Sequence, residues 1–434
     1  MLDERSWTLL RRLTRFLDQF KRCFGHRAQV ASLTQYVHGL LGDSARKSMQ
    51  AMLARVTDPV SYQAFQHFIT HAPWDVGPVW RRLLQVLPER RGVLILDDTG
   101  FPKQGTHSVG VSRQYSGTLG KIANCQVAVT AALWTGARAW LLGAELYLPE
   151  SWLTPERRTQ ARIPTRVRFQ EKWRVALTLI RRAQAAGVQI DLVAADAAYG
   201  DGVPFRTALE RRQLAYMLGV SSTLTCWAET PDRWTHRSRR NVPAAEIGAI
   251  SAAAWAAQQP TRSWRRGTWR NGPNRPWAAQ FLAVRVCPVA LWRNHQAPRA
   301  IWLLCQRPIG ATTATPHDKY YVSNLPATTR LSALVRAAHQ RWAIEQQYQE
   351  LKTELGLDHF EGRSYPGWQH HTVITAIAYA FLQAERMRRR TGPRLTFPQI
   401  RAIVQEIFTG LLFLSRPQYM RWMHQAERRL QLRI

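Results

Sequence analysis

The 434-residue sequence predicts an α/β protein on a mixed sheet, flanked by helical N- and C-terminal regions. Three observations carry this. Gly92-Val-Leu-Ile-Leu-Asp97-Asp98 is an unbroken apolar run ended by two carboxylates and followed by Gly and Pro, the pattern of a strand buried on both faces that leaves the sheet at the acids. Gln189-Ile-Asp-Leu-Val-Ala-Ala195 repeats the theme and stops at Asp196. Helical periodicity dominates before residue 90 and again beyond residue 328.

Residues 1–90 place Leu9, Leu13, Phe16, Leu17 and Phe20 at helical spacing, with Arg11, Arg12, Arg15, Lys21, Arg22 and Arg27 on that segment. Such a basic helical region is a candidate DNA-binding module, or a solvated face. Residues 91–202 begin the core. After the first strand, Ile122–Trp134 and Ala139–Leu148 read as two strands about the turn Thr135-Gly136-Ala137-Arg138, and Trp173–Ala186 as a helix closed by Gly187. Three strands, a helix and a fourth strand, with acids ending the first and fourth, suit a ribonuclease H-like sheet in which those two strands lie side by side. Ligands of open α/β sheets sit beyond the carboxyl ends of strands.

Residues 203–320 break the rhythm and predict a mainly β insertion, with strands at Phe281–Val286 and Ile301–Cys305. Arg and Trp alternate in Arg233–Arg240 and Arg262–Arg275, either to meet phosphates and stack on bases or with the indoles serving as core. Residues 321–390 hold the strongest helix, Thr328–Leu357, then a polar segment from Asp358 to His371 that offers a DNA contact or the start of a helix. Residues 391–434 predict a helical C-terminal region.

Charge limits the partners. Sixty Lys and Arg stand against 29 Asp and Glu, a formal +31, and only seven of the sixty are lysine. Arg presents a planar fork suited to phosphate, so a polyanion, nucleic acid above all, is the expected partner. Five cysteines without Cys-x-x-Cys spacing argue against structural zinc and a disulfide framework. A charged N-terminus and the lack of 18 consecutive apolar residues predict a cytoplasmic protein with no membrane partner.

On the Thr328–Leu357 helix, Arg341 and Glu345 lie one turn apart, and Lys352 returns to within about 20° of Glu345 at 100° per residue. Glu350 lies about 140° away. The chain here resembles the DDE transposases of bacterial insertion sequences, in particular the insertion sequence 701 family of DDE superfamily endonucleases, related to the insertion sequence 4 group. The resemblance rests on Arg46-Lys47-Ser48-Met49, Asp97-Asp98-Thr99-Gly100-Phe101-Pro102-Lys103-Gln104-Gly105, Asp196-Ala-Ala-Tyr199-Gly200 and Glu350–Arg363.

The resemblance implies that Asp98, which precedes Thr, Asp196, which ends its strand, and Glu345 are the catalytic and metal-binding acids, with Glu350 a weaker candidate. Arg341, Glu345 and Lys352 fit a Tyr-x-x-Arg-x-x-x-Glu-x-x-x-x-x-x-Lys signature, in which Ala338 replaces the Tyr and Tyr348 is a possible substitute. Three carboxylates suit two Mg²⁺ or Mn²⁺ ions acting on a phosphodiester, Asp98 bridging them. Arg341 and Lys352 would hold phosphates of the DNA end, with Lys103, Arg113, Lys121 and Arg363 as further DNA-binding residues. The implied activity is cleavage at terminal inverted repeats and joining of the 3′ ends to target DNA, by a homodimer on double-stranded DNA. A non-catalytic DNA-binding relic and a nuclease without strand transfer are the alternatives.

Overall fold

The computed structural model describes residues 3–117, 119–227, 247–271, 276–293, 299–311, 313–315, 317–388, 395–416 and 418. The Arg233–Arg240 motif, the end of Arg262–Arg275, Arg389, Arg390 and the final sixteen residues lie outside them. Twelve strands are found among the described residues: β1 (Arg91–Pro102), β2 (Ser112–Ser116), β3 (Lys121–Trp134), β4 (Ala139–Leu146), β5 (Gln189–Ala195), β6 (Tyr216–Val220), β7 (Thr225–Trp227), β8 (Ile250–Ser251), β9 (Arg265–Asn271), β10 (Pro276–Pro288), β11 (Ile301–Arg307) and β12 (Lys319–Ser323). They join in the order β2-β3-β1-β5-β6-β12-β11-β10-β7-β8, with β4 paired to β3 and β9 to β10.

The centre of this sheet is the ribonuclease H-like core the sequence predicts. β1 runs antiparallel to β3 and parallel to β5, which is parallel to β6 through the intervening helix Val203–Arg211. The mainly β insertion extends the same sheet: β12 adds antiparallel to β6, then β11 and β10 follow.

One expectation about β1 needs correcting. The strand does not leave the sheet at Asp97-Asp98, because the 14-residue β3 keeps pairing with it as far as Pro102, opposite Cys125. Only its parallel partner stops: the last β1–β5 pair is Ile95 with Ala194. The acids therefore sit at a fork, where β1 has β3 on one side and an opening on the other.

Alternation along β1 sends Leu94 and Leu96 into one apolar layer and Val93 and Ile95 into the other. The first layer joins the sheet to the helices Lys172–Ala185 and Tyr365–Arg388 and to the N-terminal helices. Tyr365–Arg388 is buried around nearly its whole circumference, as a central core helix must be. Phe16 meets Phe381, and Arg12 pairs with Glu385 at 2.6 Å, so the helices before residue 90 pack directly on it. Trp368, His370 and His371 are buried in its first turns, which settles the Asp358–His371 segment as a loop leading into a helix rather than a DNA contact at those three residues. Phe397–Ser415 is long and apolar enough to cross a membrane, yet it turns Phe397, Val404 and Phe408 into this same core.

The second layer carries the predicted catalytic helix, which is not one continuous helix. Leu331–His339 is followed by a tightened turn in which Ala343 and Ile344 donate to the carbonyls of Gln340 and Arg341, then by Trp342–Gln349 and a π-helical turn, Glu350–Glu354. The insertion's tryptophans largely serve packing: Trp264 is buried under Arg307, and Trp269 stacks on His339 at 3.7 Å.

Candidate active site

The site grows from the fork between β1 and β5. Successive residues on a strand face opposite ways, and the two aspartates do so. Asp97 Oδ2 accepts from Arg341 at 2.8 Å on the side of the Trp342–Gln349 helix. Asp98 turns to the other side, where Lys172 Nζ donates to its Oδ2 at 2.6 Å and the Tyr199 hydroxyl to its Oδ1. Arg341 also donates to Glu345 Oε1 at 3.0 Å, so one guanidinium spans the strand acid and the helix acid.

Asp196 follows β5 directly and caps the short Ala197–Gly200 turn, its Oδ1 accepting from the Ala198 amide at 3.1 Å. That turn lies so close to β6 that a Cβ on Gly200 would fall 1.8 Å from the Gly219 carbonyl oxygen. Glycine at both positions lets the acid approach the sheet.

Crowding shows in the electrostatics. Burial above all, with help from Asp196 and Asp98 and against the pull of Arg341, pushes the Asp97 carboxyl up to about 7. Burial, and then Asp98, also raises Asp196, again opposed by Arg341. The structure thus brings Asp97, Asp98, Asp196, Arg341 and Glu345 into one electrostatic cluster.

Lys352 stands apart from Glu345. It donates to the Gly100 carbonyl at 2.8 Å and lies over the Phe101 ring, because the π turn displaces it from the regular helical phase. Lys103 donates to the Phe360 carbonyl at 2.7 Å, which anchors the 356–364 loop beyond the strand ends. Arg113, Lys121 and Arg363 are exposed. Glu350 is buried on the far side, accepting from Tyr379 at 2.8 Å and Gln346 at 3.1 Å. Ala338 is core, and the Tyr348 hydroxyl is engaged by Thr130 within the sheet–helix layer. Spacing alone did not single out Lys172 or Tyr199 as partners of Asp98; Tyr199 belongs to a noted motif, whereas Lys172 is distant in sequence and carries no motif.

The donor chemistry fits hard divalent cations, since the acids offer carboxylate oxygens at a partly buried fork. Among the described residues, no three Asp, Glu, His or Cys side chains converge on one point, because Lys172 holds Asp98 to one face and Arg341 holds Asp97 and Glu345 to the other.

The sheet and its acids define a ribonuclease H-like α/β protein with a carboxylate-lined fork facing a helix. The DDE superfamily endonuclease family matches residues 19–276, more than half the chain, and the transposase DDE domain family matches residues 172–381. The chain belongs to the DDE superfamily endonucleases. It is also similar to the "Probable transposase for insertion sequence element IS701" of Microchaete diplosiphon, 33% identical over 195 residues, which are 43% of this chain and 48% of the relative. The chain thus matches about half the length of that curated relative.

Proposed function

We propose that this protein is the transposase of an insertion sequence: it binds terminal inverted repeats in double-stranded DNA, cleaves phosphodiester bonds there and joins the freed 3′ ends to target DNA, acting as a homodimer on two ends. The observation that carries this reading is the gathering of three carboxylates, Asp97, Asp196 and Glu345, about Arg341 at the β1–β5 fork, with Asp98 on the other face of β1. Asp98, Asp196 and Glu345 are the proposed cation ligands. Two Mg²⁺ or Mn²⁺ ions, when bound, supply Lewis acidity to the attacking and leaving oxygens.

The chain's own groups do the rest. Asp97 fixes Arg341, and Arg341 aligns Glu345 and offers its remaining donors to a phosphate. Lys172 orients Asp98 by donating to its Oδ2. Lys352 and Lys103 stand at the carboxyl end of β1, where they donate to the Gly100 and Phe360 carbonyls, and exposed Arg113, Lys121 and Arg363 offer further phosphate contacts. Exposed Arg11, Arg15, Arg22 and Arg27 on the N-terminal helices would extend the phosphate-binding surface. The protein acts within the bacterial cytoplasm, on nucleoid DNA.

The test is nicking and joining of labelled duplexes from the boundaries of the DNA element that carries the coding sequence, with Mg²⁺ or Mn²⁺ and with EDTA. Asp98→Asn, Asp196→Asn and Glu345→Gln abolish metal-dependent nicking, whereas Glu350→Gln retains it. Nicking without joined products reduces the reading to a nuclease. Specific binding by wild type, with no cutting under either metal, replaces it with a DNA-binding protein.

A further inference from the structure

The β2–β3 ribbon carries an exposed apolar pair that packing does not explain. Tyr115 and Ile122 face each other across it and are each 62% exposed, and Leu119 at its tip is 44% exposed. Arg113 lies on the same face as Tyr115, and Lys121 is exposed beside Ile122. A cross-strand apolar pair in water contributes little, so its placement on a basic projection points to a surface that receives it.

That face is the one on which Asp97 meets Arg341 and Glu345. Asp97 pairs with Thr130 on β3, and Ile122 lies eight residues earlier on the same strand, an even step that keeps its side chain on the Thr130 side. The rise along β3 puts the ribbon ~27 Å from the acids, the length of ~8 base pairs. A two-stranded ribbon fits the major groove, where apolar side chains can meet thymine methyl groups and flanking cations the phosphates. We propose that the β2–β3 ribbon is a DNA-reading element: Tyr115 and Ile122 enter the major groove of the end duplex ~8 base pairs from the phosphate at the acid cluster, with Arg113 and Lys121 on its backbone. This rests on the function proposed above.

The experiment measures binding of the full chain to fluorescent duplexes of ~30 base pairs, three helical turns, tiling the DNA on both sides of the coding sequence, with a random-sequence duplex as control. Tyr115→Ser/Ile122→Ser weakens binding to the boundary duplex about tenfold or more, leaves random-duplex binding unchanged and keeps the wild-type dependence of log Kd on log salt. Arg113→Ala instead lowers that slope by about one. Methylation interference at guanine N7, ~8 base pairs from the nick, shows the same contact in wild type and stands even if the double variant fails to fold. Equal binding by wild type and a folded double variant, or absence of groove interference, overturns the proposal. So does loss of self-association in sedimentation with DNA affinity intact, which would make the ribbon an interface between two copies. If wild type neither binds selectively nor nicks any boundary duplex, the proposed function itself fails; if it nicks but the ribbon variant binds normally, only the ribbon's role fails.

Discussion

Replacing Arg341 by Met tests the cluster's electrostatics. Asp97 has only 13% of its side chain exposed and Arg341 32%, with 2.8 Å between their charged atoms. Removing one partner of a buried pair costs about 3–5 kcal/mol, and the partial exposure of Arg341 lowers the expected cost to about 2–3 kcal/mol with Asp97 ionised. Burial holds the folded Asp97 carboxyl at about 7 against an ordinary 3.8. Its folded form prefers the proton, so the stability linked to that proton is full below 3.8 and is lost as pH rises through 7.

Without Arg341 the carboxyl rises further, and Asp196 moves the same way because Arg341 also restrains it. At pH 5 Asp97 is protonated in both folded proteins and the variant loses little from this pair; the deficit grows as pH rises through 7 and at pH 8.5 reaches the larger part of its limit, a Tm roughly 3 °C below wild type. The assay is thermal unfolding by circular dichroism from pH 5 to 9, with Asp97→Asn/Arg341→Met alongside, in which most of the pH dependence of the deficit disappears. A deficit constant across that range would refute the buried-pair account.

Gly200→Ala places a Cβ against the Gly219 carbonyl and forces the backbone apart at Asp196, so it lowers stability by about 1–3 kcal/mol and nicking falls with it; wild-type Tm and activity would show that the turn has room. Glu350→Gln sets an amide donor among Tyr379, Gln383 and Gln346, at a cost of about 1–2 kcal/mol in urea unfolding, while nicking per folded molecule persists. Burial lowers His371 to about 4 from 6.5, so stability from its neutral ring is full above 6.5 and is lost as pH falls through 4. His371→Gln therefore reduces the drop in Tm between pH 7 and pH 4.5, measured by scanning fluorimetry.

The sequence by itself determined the α/β class, the adjacency of the two acid-bearing strands and the helical flanks. Those features follow from local alternation and apolar runs: Gly92–Leu96 and Gln189–Ala195 could be little else than buried strands. Asp98, Asp196, Arg341 and Glu345 were singled out by the resemblance to DDE transposases, on the motifs that carry it, and not by residue spacing alone. Strand alternation showed that Asp97 and Asp98 must diverge, but not which way each turns. Only the tertiary structure decided that Arg341 takes Asp97 while Lys172 and Tyr199 take Asp98, because those partners arrive from distant elements. It also decided that β1 continues past its acids, held by β3, and that a tight turn and a π turn break the Thr328–Leu357 helix. Pairing partners and helix breaks are set by long-range packing, which residue spacing along one chain does not encode.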